Sequence, residues 1–371
     1  MNNKNSAVYV TYQDFPANTA NSIQTISTCK YFSRFNLKTD LIFPLRSKES
    51  SDNFQLIKEH YDIEKEIFNV IGLKHKRKFE GYKYFKKLNY ILNHIFWSRG
   101  AVRYILKNGF EPNFFFTRSE WIFYFLSRKD RKVIYECHQI TKIRKLIINI
   151  SIKRKNSKII FLNKFIHEDS GVKNLDKKIL IQQNGFDSDY FYRNKIKKDK
   201  FSVIFCGNLL RLGEGRGLDF IIKSFKDPLL KDFNLKIVGG TQKEVANFSK
   251  KYSDVTNVVF LPHLSKKKLS LHLNESEIGL LVNSKNTHSL FYTDPLKFYE
   301  YLSCELKVLA VDFPSHRALE KYLNIYFFDN ENKSDFIRKI IDVSQKEFKT
   351  SSKSKVPDMN ERVLNILDFV K

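Results

Sequence analysis

The chain alternates, twice over, between short apolar runs rich in β-branched and aromatic residues and longer segments whose apolar residues recur at helical spacing. The first series runs from AVYVTY through the helical pattern of ANSIQTISTCKYFSRF to TDLIFP, and resumes at NFFFTR, KVIYECH and SKIIFLN. The second runs through FSVIFCGN, NLKIVGG, NVVFLP, IGLLVN, KVLAVD and IYFF, with helix-like stretches between. Strands separated by helices pair in parallel, with the helices on both faces of the sheet. Between the series, ILIQQNGFDSDYFYRNKIKKDK ends a strand at an Asn-Gly turn and becomes polar and lysine-rich, which reads as a linker near Lys195. The expectation is an α/β protein of two Rossmann-like domains facing each other across a cleft that holds the active site. Its 371 residues also exceed what one hydrophobic core of about 150 to 200 residues serves. The expected division is residues 1–190 as the N-terminal Rossmann-like domain and 198–355 as the C-terminal Rossmann-like domain. Residues 356–371 are expected to form a helix that packs back on the N-terminal domain.

Cys29, Cys137, Cys206 and Cys304 lie far apart and form no C-x-x-C pair, which suits buried thiols in a reducing compartment rather than a disulfide frame or a zinc site. The N-terminus enters a strand pattern with no basic start and apolar signal core. Apolar stretches such as FFFTRSEWIFYFLSR are interrupted by charge before they could span a bilayer. A cytoplasmic protein, peripheral on the inner face of the plasma membrane, is expected. The formal charge of +25 attracts phosphate-bearing partners, whether nucleotide, anionic membrane or nucleic acid. A lysine-rich genome would account for part of it. From Glu49 to Gly109 the pattern is mostly helical and very basic. It reads either as a solvated helix with a core stripe or as a cationic face for a membrane.

Two stretches carry chemistry. In VIFCGNLLRLGEGRGLDFIIKSF a strand ends at Gly207, and the loop before the next helix holds Gly213, Gly215, Gly217, Arg211 and Arg216. Glycines let backbone amides approach an anion and the arginines add charge, which describes a diphosphate cradle. An ordinary strand-to-helix turn needs glycines as well. In TDPLKFYEYLSCELKVLAVD, Thr293 or Asp294 can cap a helix beginning at Pro295. Lys297 and Glu300 then lie three apart on one side of it. The carboxylate can accept hydrogen bonds from vicinal ribose hydroxyls while the lysine faces phosphate. The plain alternative is an ion pair on the helix surface.

The order of these parts, together with LKIVGG, VVFLPHLS, IGLLVNS and the earlier ILIQQNGFDSDYF, resembles that of GT-B glycosyltransferases, and of glycosyltransferase family 4 in particular, from about Lys178 to Asp312. The N-terminal half is similar only in layout. The resemblance implies a transferase that moves a sugar from a UDP- or GDP-linked donor to a glycan or lipid-linked acceptor, with retention, in cell-envelope polysaccharide or lipopolysaccharide synthesis. It makes Glu300 the ribose-binding carboxylate and Arg216 the phosphate-binding cation, with Arg211 close enough to help. Gly207, Asn208, Gly239, His263, Leu264, Asp294, Leu296 and Lys297 complete the implied donor site. Three positions depart from the family pattern: Asn208 stands for an arginine, Tyr292 for a sugar-binding glutamate and Glu305 for the glycine that closes the helix in a left-handed cap. In VIYECHQI, His138 matches the active-site histidine, implying a hydrogen bond to the donor sugar or phosphate. YQDFPANTANSIQ takes the place of the first loop, where Asn18, Thr19 and Asn21 would supply acceptor-side contacts.

The Asp187 to Asp189 stretch DSD follows an Asn-Gly turn and resembles the family's NGxD element rather than a metal-binding Asp-x-Asp, so no metal and no further cofactor are expected. Two rival functions are a GT-B sugar-nucleotide epimerase, for which no paired carboxylates stand out, and a basic nucleic-acid-binding protein, for which no recognisable module is present.

Overall fold

The computed structural model describes residues 5–75, 86–173, 175–211, 214–352 and 355–371. The chain divides into two compact units, Met1–Gln183 with Met359–Lys371, and Asn184–Asp358.

In the first unit, the described residues form a seven-stranded parallel sheet of β1 (Ser6–Val10), β2 (Lys38–Leu45), β3 (Asn69–Lys74), β4 (Phe114–Thr117), β5 (Val133–Cys137), β6 (Ser157–Phe161) and β7 (Ile179–Ile181). Their order is β3-β2-β1-β4-β5-β6-β7. The connecting helices are α1 (Ala20–Arg34), α2 (Phe54–His60), α3 (Lys86–Lys107), α4 (Glu120–Ser127), α5 (Lys142–Ser151) and α6 (Lys164–Ser170). Every residue of β4 and β5 is buried, which explains why the central strands read as unbroken apolar runs rather than alternating ones. Strand β3 lies inside the stretch expected to be mostly helical. It is a half-buried edge strand, too short and too close to charge for its pattern to stand out.

The second unit repeats the plan with β8 (Asp199–Cys206), a hairpin of β9 (Leu210–Arg211) and β10 (Glu214–Gly215), then β11 (Asn234–Val238), β12 (Val258–Leu261), β13 (Ser276–Leu281), β14 (Lys307–Val311) and β15 (Ile325–Phe328). Its helices are α7 (Leu218–Ser224), α8 (Gln242–Lys251), α9 (Lys266–Glu275), α10 (Leu296–Ser303), α11 (Pro314–Arg317) and α12 (Lys333–Ser344). The parallel sheet runs β12-β11-β8-β13-β14-β15. Numbered within the unit, that is the 3-2-1-4-5-6 order of a dinucleotide-binding fold, whose ligand crevice lies where the order reverses, between the first and fourth strands. Tyr301 seats α10 on this sheet: its hydroxyl accepts the Cys206 amide at 2.9 Å. A Cβ on Gly279 would lie 2.4 Å from the Tyr301 ring, so β13 needs glycine there.

Helix α13 (Met359–Val370) returns to the first unit. Met359, Val363, Ile366 and Val370 fall on one face and join the core formed by α1, β1 and β2. Residues 184–198, expected as a linker, are held by the second unit. Asn184 bonds Asp294 through its amide (2.6 Å) and its side chain (2.7 Å), and Asn194 bonds Asn274 at 2.9 Å. All four cysteines are free and buried. Among the described residues no helix is long and apolar enough to cross a membrane.

Candidate functional site

At the reversal point of the second unit, Gly207 follows β8, Gly239 follows β11 and Asn283 lies just past the end of β13. A Cβ on Gly239 would come 2.1 Å from the Gly207 carbonyl oxygen, so glycine here is imposed by the approach of two strand ends. The loop before α7 brings Arg216 into this corner. Its Nη2 donates to Asn283 Oδ1 at 2.5 Å and its Nη1 to the Asn208 carbonyl at 3.4 Å. A Cβ on Gly207 would meet Nη1 at 3.0 Å. Gly217 adopts φ 77° and opens α7 without a side-chain cap. Gly213 and the side chain of Arg211 lie outside the described residues.

Helix α10 begins at Leu296, one residue later than expected, and carries no side-chain cap. The two expected caps are engaged elsewhere. Thr293 donates to the His288 carbonyl at 3.0 Å, and the buried Asp294 carboxylate accepts from the Asn184 amide and the Tyr299 hydroxyl, both at 2.6 Å. Asp294 is thus a structural clasp of the second unit rather than a free ligand group. Lys297 Nζ lies 2.5 Å from Glu300 Oε2. The pair is not a surface one, because the Glu300 side chain is only 9% exposed. Burial works to lower the Lys297 pKa, but the Glu300 carboxylate, with smaller contributions from Cys206 and Cys304, holds the ammonium above its ordinary value. Among the described residues Glu300 Oε1 accepts no hydrogen bond, which leaves it able to take one from a hydroxyl. Of the other expected donor-site positions, Tyr292 is buried, Leu296 half-buried and His263 exposed, the His263 amide bonding the Gly240 carbonyl at 3.0 Å; Leu264 packs on the core.

The DSD stretch is a turn. Asp187 Oδ2 accepts from Lys266 at 2.9 Å and Oδ1 from the Asp189 amide at 3.4 Å, so the first carboxylate is already paired. The described residues hold no group of three or more His, Cys, Asp or Glu side chains that could hold a metal.

In the first unit, His138 follows β5, and its Nε2 lies 2.9 Å from Glu136 Oε1. Glu136 is itself buried within the strand. It also receives Arg118 (3.1 Å) from the end of β4 and Arg362 (2.6 Å) from α13. Burial above all, and then Arg118, push the His138 pKa down to about 4 against the opposing pull of Glu136. Of the expected acceptor loop, Thr19 caps α1 in a reciprocal box with Ser22, and Asn21 Oδ1 accepts from Arg118 at 2.7 Å. Of the three, Asn18 alone makes no side-chain hydrogen bond among the described residues. A different cluster stands at the C-terminal ends of β1, β2 and β3, where ligands of parallel sheets bind. Tyr12 stacks on His94 at 4.2 Å, bonds His75 at 2.9 Å and lies under the Arg46 guanidinium, which pairs with Asp14 at 2.6 Å.

Residues 200–346 match the family model for glycosyl transferases group 1. The matched segment lies in the second unit and contains Gly207, Arg216, Lys297 and Glu300, so that unit is similar to a glycosyltransferase domain. No curated protein matches the chain by sequence. Among solved structures, sucrose-phosphate synthase from Thermosynechococcus elongatus shares 12% identity with a TM-score of 0.66, covering 98% of this chain and 96% of that one. The lipopolysaccharide outer core galactosyltransferase WaaB shares 10% at 0.64 (98% and 99% covered). The pneumococcal O-GlcNAc transferase GtfA, solved with UDP and GlcNAc, shares 9% at 0.64 (99% and 98% covered). At such identities the likeness speaks to fold, and that fold is GT-B: two parallel-sheet Rossmann-like domains.

Several residues around these sites escaped the reading of the sequence. Glu136 carried one local signal, a charge in the middle of the apolar run VIYEC. Arg118, Arg362, Tyr12, Arg46 and His94 carried none, since only contacts between distant segments assemble them.

Proposed function

We propose that the chain is a glycosyltransferase of the family 4 type. It transfers a hexosyl group from a UDP- or GDP-linked donor to a glycan or lipid-linked acceptor, with retention, in the building of a cell-envelope polysaccharide or lipopolysaccharide. The observation that carries the reading is the pairing of half-buried Lys297 with buried Glu300 on the uncapped first turns of α10, within the segment that matches the family model. Glu300 receives the ribose hydroxyls. Lys297, Arg216 and the helix amides oppose the negative charge that grows on the departing diphosphate, and such preorganised charge lowers the barrier more than it tightens ground-state binding. His138 contacts the transferred sugar, the Tyr12 cluster receives the acceptor, and the first unit docks on an anionic membrane. The likeness of the whole chain to WaaB supports the envelope assignment.

Calorimetric titration with UDP-, GDP- and dTDP-linked sugars tests the donor. Glu300→Gln removes the charge at constant size, and donor affinity should fall by about 1.5 to 3 kcal/mol, the worth of a hydrogen bond to a charged group. Arg216→Ala should lower kcat more than it raises KM. Parent-like donor binding and turnover by Glu300→Gln would show that this pair is only structural.

A further inference from the structure

Glu136 accepts hydrogen bonds from three side chains drawn from separate parts of the first unit. Arg362 Nη2 reaches Oε1 at 2.6 Å, His138 Nε2 reaches it at 2.9 Å, and Arg118 reaches Oε1 at 3.1 Å and Oε2 at 3.4 Å. The two arginines are tethered in turn: Arg362 Nε donates to the Gln183 carbonyl at 3.1 Å, and Arg118 Nη1 to Asn21 Oδ1 at 2.7 Å. Two guanidinium groups keep the carboxylate ionised, with its pKa held well below the ordinary range despite burial. An ionised carboxylate only accepts, so the hydrogen in the His138–Glu136 bond belongs to Nε2, and in the neutral ring Nδ1 then carries a lone pair. Among the described residues Nδ1 makes no hydrogen bond, and the ring is 27% exposed.

We propose that Glu136 is a positioning residue that holds His138 in the Nε2–H tautomer, so that His138 presents Nδ1 as an acceptor to a hydroxyl of the bound sugar. Arg118 and Arg362 orient the carboxylate, which makes α13 part of the frame of the site. A phosphate oxygen has no hydrogen to give and would be repelled by the Nδ1 lone pair, so of the two donor groups the sugar is the partner. The inference rests on the glycosyltransferase reading for its ligand but not for the tautomer.

The tautomer is read without substrate, by ¹⁵N NMR of histidine-labelled protein with His138→Gln supplying the assignment. At pH 7 the expected pattern is a protonated Nε2 with an unprotonated Nδ1, persisting at pH 5.5. A protonated Nδ1, or a doubly protonated ring at pH 7, overturns the proposal whatever the protein's activity. Glu136→Gln, whose amide can donate as well as accept, should show both tautomers. Should that variant fail to fold, the parent spectrum and the His138 variants still decide.

The ligand is read by titrating UDP, UDP-glucose, UDP-N-acetylglucosamine, GDP and GDP-mannose into His138→Asn and His138→Gln. Asparagine sets a carbonyl near the place of Nδ1, whereas glutamine reaches the place of Nε2. His138→Gln should bind the nucleotide sugar about tenfold more weakly and His138→Asn within about threefold of the parent, as for one neutral hydrogen bond lost or kept. UDP or GDP alone should bind all of them equally. An equal loss for the free nucleotide would put the ring against phosphate and sink the proposal.

Discussion

Arg362 and Glu136 stand 226 positions apart in the chain, yet their side chains meet at 2.6 Å with neither exposed to solvent. The contact closes the first unit by joining its last helix to its fifth strand. Removing one member of a buried ion pair leaves the other charge desolvated, so Arg362→Ala should cost about 3 to 5 kcal/mol. Denaturant unfolding measures this, and a loss under about 1 kcal/mol would mean that Arg118 alone satisfies the carboxylate.

Glu305 stands where the family pattern has the glycine of a left-handed helix cap, and the backbone keeps that conformation with φ 57°. The turn into β14 demands it, and the side chain bears the strain. Its partner Arg193, 3.6 Å away on the surface, returns little. Glu305→Gly should therefore raise stability by about 1 kcal/mol, the cost of a left-handed residue with a Cβ offset in part by glycine's greater unfolded-chain entropy. In a thermal scan this is a rise of about 2 to 4 °C. A lower melting temperature would show that the Glu305 side chain contributes more than its conformation costs.

His138, His94 and His316 are each pushed down to a pKa of about 4, chiefly by burial. Their folded values lie below the unfolded one of about 6.5, so between these limits the unfolded chain binds more protons. Stability is then full above about pH 6.5 and lost as pH falls toward 4, at up to about 1.4 kcal/mol per pH unit for each histidine. Glu136, held well below the ordinary carboxylate range, adds its own loss at still lower pH. Melting temperatures measured from pH 8 to 4.5 should decline through this window, and a flat profile would contradict the assignment of these rings as neutral in the fold.

Helices α3 and α5 flank α4 and leave large apolar side chains in solvent: Leu88 and Phe96 on the former, Ile143, Leu146 and Ile150 on the latter. The α5 residues fall three and four apart, on one face, with Lys142 and Lys145 beside them. The basic stretch from Lys74 to Lys107 was read either as a solvated helix with a core stripe or as a membrane face; its residues 76–85 lie outside those described, and α3 carries residues 86–107. Sedimentation with phosphatidylglycerol vesicles should exceed that with neutral vesicles and weaken as salt rises, because exposed charges are screened beyond about 8 Å at physiological ionic strength. Leu146→Asp with Phe96→Asp should abolish it. Equal binding to both vesicle types would dispose of the membrane face.

The sequence by itself determined the secondary elements of both sheets, apart from the weak edge strand β3, and the places of Arg216, Lys297 and Glu300 in the second unit. These depend on periods of two and 3.6 residues and on the order of strand ends along the chain, and both are written locally. Which polar groups stay open for a ligand was decided only by the tertiary structure. Asp294, Thr19, Asn21 and Asp187 all had the right chemistry, and each is committed to a partner within its own unit. Glu136, which had looked like part of a core strand, orders the surroundings of His138 instead. A side chain's role follows from its buried neighbours, and a buried polar group takes whichever partner the fold brings near, however distant in the chain. For Glu136 that partner is an arginine on the last helix, which no pattern within either segment could have announced.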